Sequence, residues 1–242
     1  MNRTLYLIRM TKALFVRFKL HKIFEPLSWF LENLLYLSRF SSWKAATTPP
    51  PFCDFFNKNV DYNNRYKLYK YIFESEGLNS PIHYVEFGVA QGNSFRWWLR
   101  NNTNPGSKFT GFDTFTGLPE DWNFLCRKGD MSDNGKTPVI RDIRAELKKG
   151  LFQDTLPLYL KEFCENSCRN VIHMDADLYS STYYVLNSIA PYLKKGDIIF
   201  FDEFSVPTGE FKAFTEFTNS YYLKYQLIGA VNNYLQLAVK IL

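Results

Sequence analysis

The spacing of apolar residues changes its period along the chain. Over residues 3–43, apolar side chains recur with helical spacing and are interleaved with basic ones, which predicts helices that Pro26 divides in two. Residues 47–51 are Thr-Thr-Pro-Pro-Pro, a composition typical of a linker. A further helix is predicted from Asn64 to Glu76. The first quarter of the chain is therefore expected to be helical and to end in a linker.

After residue 80, short strand-like runs alternate with helical segments. The predicted strands span 83–87, 108–113, 170–175 and 197–202, and the predicted helices span 94–100, 154–165 and 181–193. Lys194 and Lys195 form the predicted end of the last helix, and Gly196 its C-cap. Residues 225–228 and 234–240, joined through 231–233, resemble an antiparallel hairpin at one sheet edge. The alternation predicts an α/β fold in which helices cover both faces of a mostly parallel sheet.

Composition narrows the class of protein. The length of 242 residues fits one α/β domain, placed at residues 61–242, with an extension over residues 1–60. Apolar residues make up 46% and charged residues 22%, which excludes disorder over most of the length. The four cysteines and three histidines lack the spacing of a zinc site. Because neither a signal peptide nor a membrane-spanning run is recognised, we expect a cytoplasmic protein with reduced thiols.

The charge is concentrated in the extension. The net charge is +5, and the first 50 residues hold eight of the 29 basic side chains but only two of the 24 acidic ones. The rest of the chain is close to neutral, which argues against a nucleic-acid-binding groove. Two interpretations of the basic, aromatic extension stay open. It packs on the body or on a second subunit of a homo-oligomer, or residues 1–43 make a peripheral membrane contact.

The first predicted strand ends in a glycine-containing turn, Val-Glu-Phe-Gly-Val-Ala-Gln-Gly-Asn-Ser at residues 85–94. Gly88 and Gly92 would let the backbone approach a ligand closely. Glu86 offers a carboxylate to a hydroxyl or ammonium group. The spacing differs from G-x-G-x-x-G, which argues against NAD. A tight strand-to-helix connection without a ligand would also explain the turn.

The second predicted strand ends in an acidic residue, Asp113, which lies about 20 residues after the glycine turn, where a ribose diol is commonly held in this architecture. Phe115 follows and offers an aromatic wall beside it. The alternative is that Asp113 only caps a turn. Ligands of open α/β sheets bind outside the carboxyl ends of the strands, so the ligand role is favoured.

Two later strands also end in acids. Asp175 and Asp177 follow one predicted strand, and Asp202 and Glu203 follow the next. Neighbouring parallel strands would bring these carboxylates together, where each raises the pKa of the others. A divalent cation with oxygen ligands would resolve this repulsion. The alternative is that Asp175 and Asp177 cap the following helix.

With these residues the chain resembles class I S-adenosylmethionine-dependent methyltransferases, and more narrowly the macrocin O-methyltransferase family, from about Tyr62 onward. The motifs are Tyr-Val-Glu-Phe-Gly-Val at 84–89, Gly-Phe-Asp-Thr-Phe-Thr-Gly-Leu-Pro-Glu at 111–120, Lys-Gly-Leu-Phe-Gln-Asp-Thr-Leu-Pro at 149–157, His-Met-Asp-Ala-Asp-Leu-Tyr at 173–179 and Phe-Asp-Glu at 201–203. The resemblance implies a Rossmann-like doubly wound, mostly parallel seven-stranded sheet with a C-terminal antiparallel hairpin.

The resemblance also implies cofactors and the residues that bind them. The donor would be S-adenosyl-L-methionine, and Mg2+ or another divalent cation would assist methyl transfer to the hydroxyl of a sugar or a related small molecule. The cofactor-binding residues would be Glu86, Gly88, Gly92, Ser94, Asp113 and Phe115, and the metal ligands Asp175, Asp202 and Glu203. Glu203 departs from the Asp or Asn that is often the last ligand.

The catalytic residues implied are Asp175, beside the metal, and Asp177, which we take as the hypothetical base. Spacing does not decide which of the two is the metal ligand. The segment 120–142 is predicted to be a mobile loop or lid that contacts the acceptor. A hypothesis from another class is a non-catalytic module that binds S-adenosylmethionine or a glycan and whose N-terminal arm binds a membrane or a partner.

Overall fold

A seven-stranded sheet forms the centre of the molecule, in a computed structural model that describes residues 3–123, 126–165 and 167–242, apart from the side chains of residues 164 and 165. The strands are β1 (Ile82–Phe87), β2 (Lys108–Asp113), β3 (Ala145–Lys149), β4 (Arg169–Met174), β5 (Ile198–Phe201), β6 (Tyr225–Val231) and β7 (Gln236–Ile241). Their order is β3-β2-β1-β4-β5-β7-β6. The first five strands pair in parallel, and β7 is antiparallel to both β5 and β6. The predicted Rossmann-like fold with its C-terminal hairpin is confirmed.

Eight α-helices accompany the sheet within the described residues. They are α1 (Arg3–Arg17), α2 (His21–Phe24), α3 (Ser28–Ala46), α4 (Asn64–Ser75), α5 (Asn93–Asn101), α6 (Phe152–Glu165), α7 (Tyr179–Ile189) and α8 (Glu210–Ser220). Helices α4 and α5 contribute to one apolar cluster, and α6, α7 and α8 contribute to a second. Because side chains alternate between the two faces of each strand, the central strands supply residues to both clusters. The helices therefore cover both faces, as expected for a parallel sheet.

Two elements were not located from the sequence. Strand β3 has the sequence Ala-Glu-Leu-Lys-Lys and lies at the edge of the sheet, where charged side chains face solvent and hide the strand signal. Helix α8 repeats an aromatic residue every three positions, at Phe211, Phe214 and Phe217, and all three are buried. That spacing is a helical signal, which the sequence interpretation passed over.

Predicted boundaries differ from the structure at the end of α7 and in the C-terminal hairpin, where β6 also runs on to Val231. Helix α7 ends at Ile189 and a short 3-10 segment containing Pro191 follows, so Gly196 is not a helix C-cap but the left-handed residue of the turn before β5. Strand β7 begins at Gln236 rather than at residue 234, because Asn232, Asn233 and Tyr234 all have positive φ and form the turn. Proline and left-handed backbone, respectively, move these boundaries.

The extension divides into an attached part and an exposed part. In the second half of α3, Tyr36 donates a hydrogen bond to Glu216 (3.0 Å), and the Trp43 indole N–H donates to the Tyr225 hydroxyl (2.9 Å). By contrast, every residue of α1 is exposed. Among the described residues, no helix is both long and apolar enough to cross a membrane. The division at residue 60 stays a prediction, and packing contacts run across it.

The buried side chain of His83 in β1 is expected to make the stability of the fold depend on pH. The side chain is 1% exposed; Nδ1 lies 3.0 Å from Asn170 Oδ1, and Nε2 lies 2.5 Å from the Tyr159 hydroxyl. Burial lowers the pKa of His83 to about 4, from an ordinary value near 6.5. The unfolded chain therefore takes up this proton at a higher pH than the folded chain. Its stabilising contribution is complete above pH 6.5 and is lost as the pH falls towards 4.

We expect the free energy of unfolding of the wild-type protein to fall by about 1.4 kcal/mol more than that of His83→Gln between pH 7.5 and 5.5. Urea unfolding at the two pH values measures this difference. The variant is the control because it keeps every other titrating group, including the buried carboxyls whose raised pKa acts in the opposite direction. Equal pH dependence of the two proteins would contradict the prediction.

Candidate active site

Two adjoining cavities open at the carboxyl ends of the parallel strands. The first is lined by residues that follow β1, β2, β4 and β5, among them Gly88, Asp113, Asp175, Asp177 and Glu203. The second is lined by Glu86 and Ser94, among others. Ala90, Met131 and Asp175 line both cavities, so the two are parts of one site. Its place in the sheet is where α/β proteins bind ligands.

The glycine turn after β1 brings two loops into backbone contact. Gly88 has φ +96°, and a Cβ on this residue would lie 1.7 Å from the carbonyl oxygen of Asp175. No side chain fits there, so glycine is required for the loop after β1 to touch the loop after β4. Gly92 has φ +76° and is the residue before α5. Gly92 lines neither of the two cavities. Its left-handed backbone conformation lets the chain turn into α5.

Glu86 is held by a buried chain of polar side chains. Its Oε2 accepts a hydrogen bond of 2.5 Å from the Tyr84 hydroxyl, which also lies 2.9 Å from Nδ1 of His173. On the far side of that ring, Nε2 lies 3.1 Å from the Tyr69 hydroxyl. Tyr84 donates to Glu86, so its hydroxyl oxygen is left to accept from Nδ1 of His173. The chain fixes the orientation of Glu86.

Ser94 and Asp113 stand on opposite sides of the glycine turn. Ser94 is buried in the first turn of α5, with its hydroxyl 3.5 Å from that of Tyr69. Asp113 Oδ2 accepts from the Ala90 backbone N–H and Oδ1 from that of Phe115, each at 2.7 Å. Asp113 therefore does bridge two turns, and it also lines the first cavity. The turn-capping alternative is therefore seen at Asp113, and its ligand role stays a prediction.

Asp175 and Asp202 are neighbours because β4 and β5 pair in parallel. Met174 pairs with Phe201, and each aspartate directly follows the last residue of its strand. Ligand atoms of His173, Asp175 and Asp202 all lie within 4.8 Å of one another. Burial, and then the charge of Asp202, raise the pKa of Asp175 well above its ordinary value. The predicted convergence of carboxylates at this edge is what the structure shows for this pair.

The pair has one free position that fits a cation. Oδ2 of Asp202 accepts from the Tyr62 hydroxyl and lies 3.4 Å from an Arg65 nitrogen, whereas Oδ1 is buried without a hydrogen-bond partner among the described residues. A buried carboxylate oxygen without a donor is costly unless something positive approaches it. Both nitrogens of His173 already face tyrosine hydroxyls, so the carboxylates are the better ligands. This donor set suits a hard divalent cation.

Asp177 and Glu203 face the first cavity from two loops. Burial, with Asp202 as the next cause, raises the pKa of each carboxyl to about 7. Glu203 is not in the cluster that joins Asp175 and Asp202, although its Oε1 lies 3.4 Å from the Tyr62 hydroxyl. Its role as a metal ligand stays a prediction.

The helix-capping alternative for the acids after β4 has no support in the structure. Helix α7 begins after Leu178, and no side-chain cap bond forms at that residue among the described atoms. Asp177 has φ +57° and turns its side chain towards the cavity instead. A non-glycine residue in this region is uncommon and often marks a functional constraint.

Phe115 lies outside the two cavities, and its cofactor-binding role stays a prediction. It is 1% exposed, belongs to the apolar cluster of α4 and α5, and is not among the residues that line the two cavities. Its φ of +57° turns the chain after β2, so that Thr114 and Gly117 line the cavity in its place. The strand-end position was evident from the sequence, but the backbone turn was not.

Four residues of the site were missed by sequence reasoning. They are Tyr62 and Arg65, which contact Asp202, Glu210, which is fully buried beside Glu203, and Trp122, which lines the first cavity. Burial raises the pKa of Glu210 well above its ordinary range, and its Oε2 accepts from the Glu203 backbone N–H. Tyr62 and Arg65 contact Asp202 across long sequence separations, for which a single sequence carries no signal. Trp122 lies in the segment predicted to cover the site.

Comparison with known protein families identifies a domain that contains the site. Residues 85–204 match a family model described as a methyltransferase domain. That range begins in β1 and ends just after β5, so it contains the strand ends that form the site. No curated protein sequence matches significantly.

Solved structures share the fold at low sequence identity. A structure titled as CalS11, a calicheamicin methyltransferase, is 21% identical and has a TM-score of 0.56, covering 86% of this chain and 92% of its own. The O-methyltransferase NovP is 20% identical with a TM-score of 0.53, covering 74% and 78%. Apo CalS11, titled as a TDP-rhamnose 3'-O-methyltransferase, is 20% identical with a TM-score of 0.50, covering 86% and 94%. Residues 85–204 therefore match a methyltransferase domain, and the fold of the whole chain resembles that of class I S-adenosylmethionine-dependent methyltransferases.

Proposed function

We propose that the chain is a divalent-metal-assisted O-methyltransferase that acts on a hydroxyl of a sugar or a related small molecule. The observation that carries the proposal is the buried Asp175–Asp202 pair, with its unpartnered oxygen, beside the cavity of a methyltransferase domain. The similarity to a chain titled as a TDP-rhamnose 3'-O-methyltransferase supports a sugar acceptor.

The donor would occupy the space between the glycine turn and Asp113. Glu86, oriented by Tyr84, offers a carboxylate to the ammonium group of the methionine part, and the buried Ser94 lies beside it. Asp113 faces the first cavity, where its carboxylate can accept from ribose hydroxyls while it keeps its backbone bonds. S-adenosylmethionine supplies an electrophilic methyl group when it is bound.

The cation would be held by Asp175 and Asp202, with Glu203 as a further candidate. Mg2+ bound there would lower the pKa of an acceptor hydroxyl and orient it. Tyr62 and Arg65 keep the second oxygen of Asp202 engaged, which leaves Oδ1 directed at the ion. These residues position the ligand rather than react.

Asp177 is the base that fits the geometry. Its carboxylate lines the first cavity together with Asp175 and Glu203, within the part of the site left for the acceptor. There it can take the proton from the attacking hydroxyl. Leu118, Pro119 and Trp122 form an apolar wall of the same cavity, against which the C–H face of a sugar ring can pack.

Replacement of the ribose-facing acid is expected to weaken donor binding. Asp113→Asn keeps one of the two acceptors for the backbone N–H groups and loses the charge, so affinity for S-adenosylhomocysteine should fall about tenfold or more in calorimetry. Glu146→Gln, which removes one exposed charge from the neighbouring edge strand β3, is the matched control and should bind normally. Unchanged affinity of Asp113→Asn would contradict the ribose role.

Metal binding can be tested without knowing the acceptor. We expect the wild-type protein to bind Mn2+, a paramagnetic substitute for Mg2+, and Asp202→Asn to bind it at least about tenfold more weakly. Both proteins should bind S-adenosylhomocysteine equally, and Glu146→Gln should resemble the wild type. Methyl transfer should stop in EDTA and return with added Mg2+. Full activity in EDTA would remove the cation from the proposal, and tight donor binding without any turnover would favour a non-catalytic module.

Loss of the proposed base should reduce turnover alone. With TDP-rhamnose as the first acceptor to be tried, Asp177→Asn is expected to lower kcat by about 10²- to 10⁴-fold. Binding of Mn2+ and of S-adenosylhomocysteine should change little, because the ligands remain. A variant with near-normal kcat would show that another group accepts the proton.

A further inference from the structure

The first two helices expose apolar side chains that nothing in the described chain covers. We call residues 3–24, which contain α1 and α2, the basic arm. Its exposed large apolar side chains include Leu7, Ile8, Leu14, Phe15, Phe18 and Ile23. Apolar surface of this extent on a protein marks a site where another molecule or a membrane binds, because its exposure to water is unfavourable.

The charge of the basic arm restricts the chemistry of the surface that can bind it. Residues 3–24 contain six lysines and arginines and no acid, and all six are exposed: Arg3, Arg9, Lys12, Arg17, Lys19 and Lys22. A surface that binds the basic arm must therefore offer negative charge to the basic side chains and an apolar layer beneath that charge to the apolar ones. A second copy of the arm would bring six further positive charges against the first six, which opposes pairing of two arms.

The first half of α3, which follows the basic arm in sequence, also exposes apolar side chains. Trp29, Phe30 and Leu34 are exposed, whereas the second half of the helix is fixed to the body through Tyr36 and Trp43. Glu32, one of the two acids of the first 50 residues, is paired with Lys212 at 2.9 Å. Its charge is thus partly balanced by the body and does not cancel that of the basic arm.

We propose that the basic arm and the first half of α3 dock on an anionic lipid surface. Lysine and arginine side chains are long enough to keep their charge among anionic headgroups while their methylenes lie over apolar surface. Leucine, phenylalanine and tryptophan enter the boundary between headgroups and acyl chains. The near-neutral body contributes little to this attraction, so the docking is local to the extension. It is independent of the proposed acceptor and metal.

The test is sedimentation of the full chain with vesicles of phosphatidylcholine alone or with about 30% phosphatidylserine. We expect binding to the anionic vesicles that weakens in high salt. Neutralising two arm charges in Arg9→Gln/Lys12→Gln should weaken the partition roughly fivefold for each charge, about 25-fold together. Lys67→Gln/Lys70→Gln removes two exposed charges from α4 on the body and is the matched control, with binding like the wild type.

Leu7→Ser/Leu14→Ser tests the apolar part and should also release the protein from anionic vesicles. All variants change exposed residues, and equal binding of S-adenosylhomocysteine checks that they fold. Equal binding to both kinds of vesicle, or equal loss in the body control, would overturn the proposal. No binding to either vesicle would also overturn it, and a concentration-dependent doubling of mass lost in Leu7→Ser/Leu14→Ser would assign the surface to a second copy of the chain instead.

Discussion

The parallel pairing of β4 with β5 places two carboxylates side by side in a buried position, and much of the site follows from this constraint. Asp175 and Asp202 come directly after the paired residues Met174 and Phe201. For Asp175, burial and the charge of Asp202 both oppose the charged form. The protein compensates only in part, through Tyr62 and one long contact from Arg65. The negative charge that these two contacts leave unbalanced makes this edge of the sheet suited to a cation.

The sequence predicts this constraint because it depends on local features. A short strand-like run that ends at or just before an acid marks both the strand and its carboxyl end, so the positions of Asp113, Asp175 and Asp202 relative to the sheet could be predicted. Strand β3 could not be located in this way, because an edge strand has a solvated side and three of its five residues are charged. Local pattern therefore predicts the centre of this sheet better than its edge.

The rest of the site depends on contacts that no local pattern contains. Tyr62 meets Asp202 across 140 residues of sequence, and Tyr69 meets His173 across 104. His173 is buried, and its two nitrogens connect the Tyr69 hydroxyl to that of Tyr84 and so to Glu86. Only the tertiary structure distinguishes a histidine that fills space from one that orients a carboxylate.

The segment between α3 and α4 connects the extension to the acidic pair of the active site. Phe52 accepts a backbone hydrogen bond from Ala230 in β6, and Asp54 accepts one from the Asn232 backbone in the turn of the hairpin. Held on the hairpin in this way, the chain reaches the carboxyl end of β5 and delivers Tyr62 to Asp202. The residues before the methyltransferase-domain match thus complete the electrostatics of the acidic pair. A hydrogen-bond donor supplied by so distant a segment makes the balance of charge at the site depend on how that segment is anchored.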